Sequence, residues 1–180
     1  MASLNKEQLD YFDEFGFLPL ENVFDPVKVL DPIIQEYHGV LDDLVDDLYE
    51  EGKISSKFEN SSFAEKLTKV MQETGESHAL YFDFSLPSPA AITLESKGWF
   101  GPSVFNAFVD EDILDVVESI IGSEIYSNPV QHVRIKPPEK VLPKTDNLKV
   151  SVGATPWHQD QGVVNDEADE TNMLTVWFPL

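Results

Sequence analysis

The chain has 180 residues, of which 42% are apolar and 11% aromatic, a composition typical of a folded domain rather than of a disordered chain. Its 33 acidic and 12 basic residues give a formal charge of −21, which argues against nucleic acid and membrane surfaces as partners and leaves small molecules or proteins. The absence of cysteine excludes disulfides and thiolate chemistry, so any metal must be held by His and carboxylate side chains.

The first 122 residues are predicted to be mostly helical, because their apolar residues recur at intervals of three and four. Gly16 and Gly122 follow two of these patterns and are expected to end the helices, and Asp25 is expected to cap the longest one. An extended edge segment is expected at residues 17–24, because Pro19 cannot occupy a central strand. In chain order, the helices are predicted at residues 4–15, 26–51, 62–73 and 110–121.

Residues 123–180 are rich in β-branched and aromatic residues, which indicates strands. Loops are expected between them at residues 139–149 and 165–172. We therefore predict a single α+β domain over residues 1–180, with helices first and an antiparallel sheet after them. In chain order, the strands are predicted at residues 124–126, 130–135, 150–157 and 173–178.

The tripeptide at residues 158–160, His-Gln-Asp, lies at the end of one predicted strand. Residues i and i+2 of a strand point to the same face, so His158 and Asp160 can hold one metal ion together. An imidazole and a carboxylate are the first part of the two-His-one-carboxylate triad that binds Fe(II) in oxygenases, although zinc accepts similar ligands. The tripeptide alone is a weak signal, and its alternative is an ordinary surface histidine.

Three motifs, the second of which contains the tripeptide, give it a context. They are Val-Arg-Ile-Lys-Pro-Pro at residues 133–138, Thr-Pro-Trp-His-Gln-Asp at 155–160 and Thr-Val-Trp-Phe-Pro-Leu at 175–180. Together with the helix and Gly-Phe turn within residues 8–20, they resemble the phytanoyl-CoA dioxygenase (PhyH) family of Fe(II)/2-oxoglutarate-dependent oxygenases. The resemblance implies a double-stranded β-helix, a cupin-like jelly-roll barrel, which is incomplete at the C-terminus and preceded by an N-terminal helical region. It also implies Fe(II) and 2-oxoglutarate as cofactors.

The same resemblance implies roles for individual residues. His158 and Asp160 take the metal-ligand positions, Trp177 falls where the family places an aromatic near 2-oxoglutarate, and His132 lies near a co-substrate contact. Separately, Arg134 is the first of five basic residues between positions 134 and 149, a cluster that could attract an anionic co-substrate or a coenzyme-A-type phosphate. The alternatives are a core aromatic for Trp177, a structural histidine for His132 and a solvated basic loop after Arg134. His38 and His78 are expected at the surface.

The family pattern continues with a distal His ligand and an Arg that contacts 2-oxoglutarate. No His follows Asp160, and the sequence stops at Leu180 in an apolar predicted strand, so we expect a truncated fragment that binds iron weakly and is inactive alone. His132 is an alternative source of the second imidazole, but it precedes the tripeptide.

The intact enzyme is expected to use 2-oxoglutarate and O2 to hydroxylate an unactivated C–H bond of a small molecule or acyl-CoA. Retention of Asp160 favours hydroxylation, because related halogenases replace this carboxylate. The first alternative is a non-catalytic, small-molecule-binding jelly roll in which His158 and Asp160 only form hydrogen bonds. The second alternative is a zinc hydrolase, which needs a third ligand and a general base that we do not find. Without an apolar signal core or membrane-spanning run, the expected location is the cytoplasm.

Overall fold

A computed structural model of the chain describes residues 3–83, 101–127, 131–144, 158–163 and 170–180. These residues form helices joined by irregular segments. A π-helical turn at Pro26–Leu30 leads into the longest helix, and two short 3-10 turns lie at Glu139–Val141 and Asp160–Val163. In chain order, the α-helices are α1 (Lys6–Phe15), α2 (Asp31–Glu50), α3 (Phe63–Thr74), α4 (Ala79–Phe82), α5 (Pro102–Phe108) and α6 (Glu111–Ile121).

The four predicted helices are confirmed, and their ends are set by local residues. Asn5 caps α1 through a reciprocal pair of hydrogen bonds with Gln8, and Gly16 ends the helix in the left-handed conformation that glycine adopts at little cost. Ser62 and Glu65 form the same kind of capping box at α3, and these hydrogen bonds hold the pKa of Glu65 below its usual value. Helices α4 and α5 were not predicted, because each is too short to show a helical repeat.

The long predicted helix at 26–51 begins with a π turn rather than an α turn. Asp25 Oδ1 accepts the N–H groups of Val27 and Lys28 at 2.9 and 3.3 Å, and the N–H of Asp31 bonds to the carbonyl of Pro26, five residues back. Pro32 explains the wide turn, because it has no N–H and its ring collides with the carbonyl four residues before it. The predicted cap is therefore confirmed, while the first turn is looser than expected.

The chain divides into two compact units. The first, here called the terminal unit, consists of the described residues of Met1–Ile33, Pro102–Asn128 and Pro156–Leu180. Within it, α5 packs against both the π turn and α6. The terminal unit has an apolar core, whose buried side chains are Leu4, Val29, Ile33, Val104, Ala107, Ile113 and Val116.

The second, here called the central unit, consists of the described residues of Ile34–Gly101 and Pro129–Thr155. It buries the apolar stripe of α2 and leaves the predicted acidic face of that helix exposed, with Asp42 paired to Lys66 and Asp46 paired to Lys57. No helix in the described part of the chain has the length and apolar character to cross a bilayer. The buried core of the central unit includes Tyr37, Val40, Leu41, Leu44, Val45, Leu48, Ile54, Leu67, Val70, Met71, Phe82 and Leu142.

The predicted jelly-roll barrel is wrong for the residues that the structure describes, since none of them forms a β-strand. Residues 131–137, which overlap the predicted strand at 130–135, do alternate between more and less exposed side chains, but no ladder forms. The N–H of Val133, which a strand would donate to a neighbouring strand, is donated to the side chain of Asp83 instead. The predicted strands at 124–126 and 173–178 are likewise without strand pairing, and so is the segment at 17–24, which was expected to be extended or an edge strand. The predicted strand at 150–157 lies outside the described residues.

Candidate functional site

His158 and Asp160, here called the dyad, lie side by side in the terminal unit. The Nε2 atom of His158 is 3.1 Å from Oδ1 of Asp160, and the two side chains are 52% and 43% exposed. The two side chains are therefore close together, as their spacing predicted. The predicted reason, that they share the face of a strand, is wrong. Asp160 begins a 3-10 turn, so the two side chains are brought together by a turn rather than by the face of a strand.

Thr175 is a second neighbour of the Asp160 carboxylate. Its Oγ1 hydroxyl donates a hydrogen bond to Oδ2 of Asp160 at 2.5 Å, at the short limit that is typical of hydroxyl donors to carboxylates. Three residues further along, the ring of Phe178 contacts that of Phe24, with centroids 4.7 Å apart. Each oxygen of Asp160 thus has a different neighbour, and the segment that carries Thr175 is anchored by an aromatic contact.

The dyad fits a shared metal ion in donor type and in spacing. Two cis ligands at about 2.1 Å from an octahedral ion lie about 3.0 Å apart, which agrees with the separation of the Nε2 and Oδ1 atoms. A neutral imidazole and a carboxylate are also two of the three ligands of the Fe(II) facial triad. Among the described residues, no group of three or more His, Cys, Asp or Glu side chains is arranged to hold a metal. The dyad therefore has two of the three donor groups that such a triad requires.

A second polar arrangement, here called the Asp83 cluster, lies in the central unit and contains two residues predicted to contact the co-substrate. Asp83, whose side chain is only 7% exposed, has Oδ2 at 2.9 Å from Nδ1 of His132 and 3.3 Å from Nη1 of Arg134. Its Oδ1 accepts the N–H of Val133 at 3.2 Å. One nearly buried carboxylate therefore holds three consecutive residues.

The chain segment that leads into Asp83 is held by the buried phenol of Tyr37. Tyr37 donates its hydroxyl to the carbonyl of Phe82 at 2.9 Å, directly before Asp83, and the rings of Tyr37 and Phe82 stack at 6.4 Å. Burial, and secondarily the negative charge of Asp83, raise the pKa of the Tyr37 phenol well above its usual value. Tyr37 therefore remains a neutral hydrogen-bond donor at any working pH.

The other predicted site residues differ in exposure. Trp177 is 80% exposed, so it is not a core aromatic. Lys136, Lys140 and Lys144 are exposed, as the solvated-loop alternative predicted for this stretch, and Lys149 lies outside the described residues. The cofactor-binding roles of His132, Arg134 and Trp177 stay predictions.

The two remaining histidines, both in the central unit, differ from each other. His38 is exposed on α2, as predicted, and its ring contacts Phe63 at 5.2 Å. His78 was also predicted at the surface, but it is half buried, with Nε2 at 2.9 Å from Oγ1 of Thr74. Burial lowers the pKa of His78, and the nearby charge of Lys53 acts in the same direction.

Sequence reasoning missed Asp83 and Thr175. Thr175 could have been found, because it belongs to the motif that contains Trp177 and stands two residues before it. Asp83 carried no such signal, since it is 49 residues from its His132 partner and belongs to no motif. The contact between Asp83 and residues 132–134 is therefore visible only in the structure.

The dyad, its threonine and the surrounding motifs can be compared with known proteins. A family model described as phytanoyl-CoA dioxygenase (PhyH) matches residues 12–180. No curated protein and no solved structure is significantly similar to the chain. The matched range contains the dyad, Thr175 and the whole Asp83 cluster. The chain therefore belongs to the phytanoyl-CoA dioxygenase family, a family of oxygenases.

Proposed function

We propose that this protein is a Fe(II)- and 2-oxoglutarate-dependent dioxygenase that hydroxylates an unactivated C–H bond of a small molecule or acyl-CoA. The observation that supports this most is the 3.1 Å spacing of His158 Nε2 and Asp160 Oδ1 within the range matched by the family. When bound there, Fe(II) with 2-oxoglutarate and O2 supplies the oxidising power that the protein's own side chains lack. The third ligand comes from a residue that the described part of the chain does not identify.

The chain's own residues have separate tasks in this proposal. His158 binds the metal through Nε2, which must be unprotonated, and Asp160 binds it through Oδ1. His132 and Arg134 supply polar groups for an anion in the central unit. Asp83 engages one nitrogen of the Arg134 guanidinium, whose five N–H donors leave others to bind a carboxylate, although the charge of Asp83 weakens the attraction. Trp177, which is exposed in the terminal unit, contributes an aromatic face to 2-oxoglutarate.

A binding protein without catalysis is the rival function, and one observation favours it. A separation of 3.1 Å is also that of a direct hydrogen bond between His158 and Asp160, which needs no metal. In that function, the two side chains would recognise a polar ligand and the protein would not consume 2-oxoglutarate.

Succinate formation from 2-oxoglutarate, with Fe(II) and air, separates the two functions. The protein is assayed in the length in which the cell makes it, alongside the variants His158→Ala and Asp160→Ala. We expect wild-type turnover and background rates for both variants, because each removes one metal ligand. His38→Ala is the matched control, since His38 is an exposed histidine elsewhere in the chain, and it should turn over normally. Equal succinate formation in all four proteins would contradict the proposal.

A further inference from the structure

Resting on the proposed function, we infer that Thr175 is a positioning residue that holds Asp160 in a one-oxygen binding mode toward the metal. Its hydroxyl donates to Oδ2, while Oδ1 is the oxygen that faces Nε2 of His158. The two oxygens of one carboxylate are thereby given different tasks.

The hydrogen bond has the character of a fixed contact. A hydroxyl that donates to a carboxylate at 2.5 Å makes a charge-assisted bond, stronger than the bond between two neutral groups. Threonine is branched at Cβ, so its χ1 angle is restricted and the direction of the hydroxyl is set by the backbone. The contact of Phe178 with Phe24 anchors that backbone three residues away. Water, by comparison, could solvate Oδ2 from any direction and would not orient the carboxylate.

The binding mode matters because the proposed reaction needs open positions on the metal. An octahedral ion held by three protein atoms would keep three positions open for 2-oxoglutarate and O2. A carboxylate that turned to bind through both oxygens would occupy one of these positions. Thr175 opposes that rotation, because Oδ2 can reach the metal only by giving up its hydrogen bond.

The test compares Thr175→Val with Thr175→Ser. Valine has nearly the shape of threonine and lacks the hydroxyl, whereas serine keeps the hydroxyl and loses only a methyl group. Fe(II) is titrated anaerobically into each apoprotein by calorimetry, without 2-oxoglutarate. We expect Thr175→Val to bind Fe(II) about tenfold more weakly or worse, as hydrogen-bond partners of metal ligands usually show when removed, and Thr175→Ser to stay near wild type.

A second readout excludes a purely structural role. The urea midpoints of the metal-free proteins should agree, since Thr175 is exposed and contributes little to the core. Val176→Thr, which adds a hydroxyl at the next residue, is the matched control and should bind Fe(II) as wild type does.

The possible outcomes separate the two proposals. If His158→Ala and Asp160→Ala weaken Fe(II) binding but Thr175→Val does not, the role of Thr175 is wrong and the metal site stands. If none of the three variants changes Fe(II) binding, the metal site itself is wrong. If Thr175→Val and Thr175→Ser are equally weak, the loss comes from packing rather than from the hydroxyl, and the inference fails.

Discussion

Asp83 and Asp160 each have both carboxylate oxygens engaged by neighbouring groups in the chain. At Asp160 the neighbours are His158 and Thr175, and the pair of oxygens is half exposed. At Asp83 they are two side chains and a backbone N–H, and the carboxylate is nearly buried. The contrast suggests different purposes: an accessible carboxylate can accept a metal ion, whereas a buried one that is satisfied by its own chain fixes a segment.

The fixing role of Asp83 gives a prediction for Asp83→Ala. Losing the hydrogen bonds of this carboxylate should lower the free energy of local opening of residues 131–136 by about 1–2 kcal/mol. The value is modest because water can replace the carboxylate at the half-exposed His132 and Arg134. Arg134 is the single arginine of the chain, so an arginine-specific protease cuts only after it. Cleavage should accelerate about fivefold to thirtyfold if local opening limits it.

The control for this experiment is Asp43→Ala, which removes an exposed carboxylate from the acidic face of α2. It should leave the cleavage rate as in wild type. Equal rates for Asp83→Ala and wild type would show that Asp83 does not hold the segment.

His78 gives a prediction about pH. Burial lowers the pKa of His78 below the ordinary histidine value of about 6.5. Just below that pH, the unfolded chain therefore binds a proton at this position more readily than the folded protein does. The stability that the buried, neutral His78 contributes is therefore complete above a pH of about 6.5 and is lost as the pH falls below it. Two charges also act on the pKa of His78: that of Glu76 raises it and that of Lys53 lowers it.

The variant His78→Asn tests this contribution. Asparagine tolerates the left-handed backbone that His78 adopts, with φ at 51°, and it does not titrate. Between pH of about 7.5 and about 5.5, the urea midpoint of wild type should fall by more than that of the variant. Parallel changes in the two midpoints would contradict the assignment.

At the scale of elements, the helices show how much the sequence specifies locally. The glycines that end two helices, Gly16 and Gly122, and the cap at Asp25 were predicted, because a cap depends on residues within one turn. The π turn was not predicted, although its cause, Pro32, is visible in the sequence. The 3-10 turn at Asp160 was not predicted either, and it replaces the strand geometry from which the dyad was inferred.

The start of α6 gives an element-scale prediction. Asp110 Oδ1 accepts the N–H of Asp112 at 3.2 Å, and Oδ2 pairs at 2.9 Å with Lys28, whose pKa this contact raises. Asp110→Ala removes the cap and should cost about 1–2 kcal/mol of stability. Asp110→Asn keeps a cap of similar quality and leaves only an exposed lysine without its partner, so it should cost clearly less.

The stability of both Asp110 variants is measured by urea unfolding, which is monitored by far-ultraviolet circular dichroism. The expected order of midpoints is wild type, then Asp110→Asn, then Asp110→Ala. Equal loss in the two variants would mean that the ion pair with Lys28, rather than the cap, stabilises this helix end.

At the scale of the whole molecule, family membership was predictable and the fold was not. Three short motifs were enough to indicate the family, because they record side-chain chemistry in chain order. Strand pairing is not local: residues 131–137 have the alternation of a strand, yet their polar groups are taken by Asp83 from a distant part of the chain. The predicted single domain over residues 1–180 stays a prediction, beside the two compact units into which the chain divides.

The central claim is that the dyad binds Fe(II) in a site that also accepts 2-oxoglutarate. It is tested most directly by adding Fe(II) and 2-oxoglutarate to the protein without oxygen and recording its visible spectrum. We predict a metal-to-ligand charge-transfer band in wild type and in His38→Ala, and no band in His158→Ala or Asp160→Ala, because chelation of 2-oxoglutarate in the site requires bound iron. A spectrum without the band in wild type, or an undiminished band in both dyad variants, would contradict the claim.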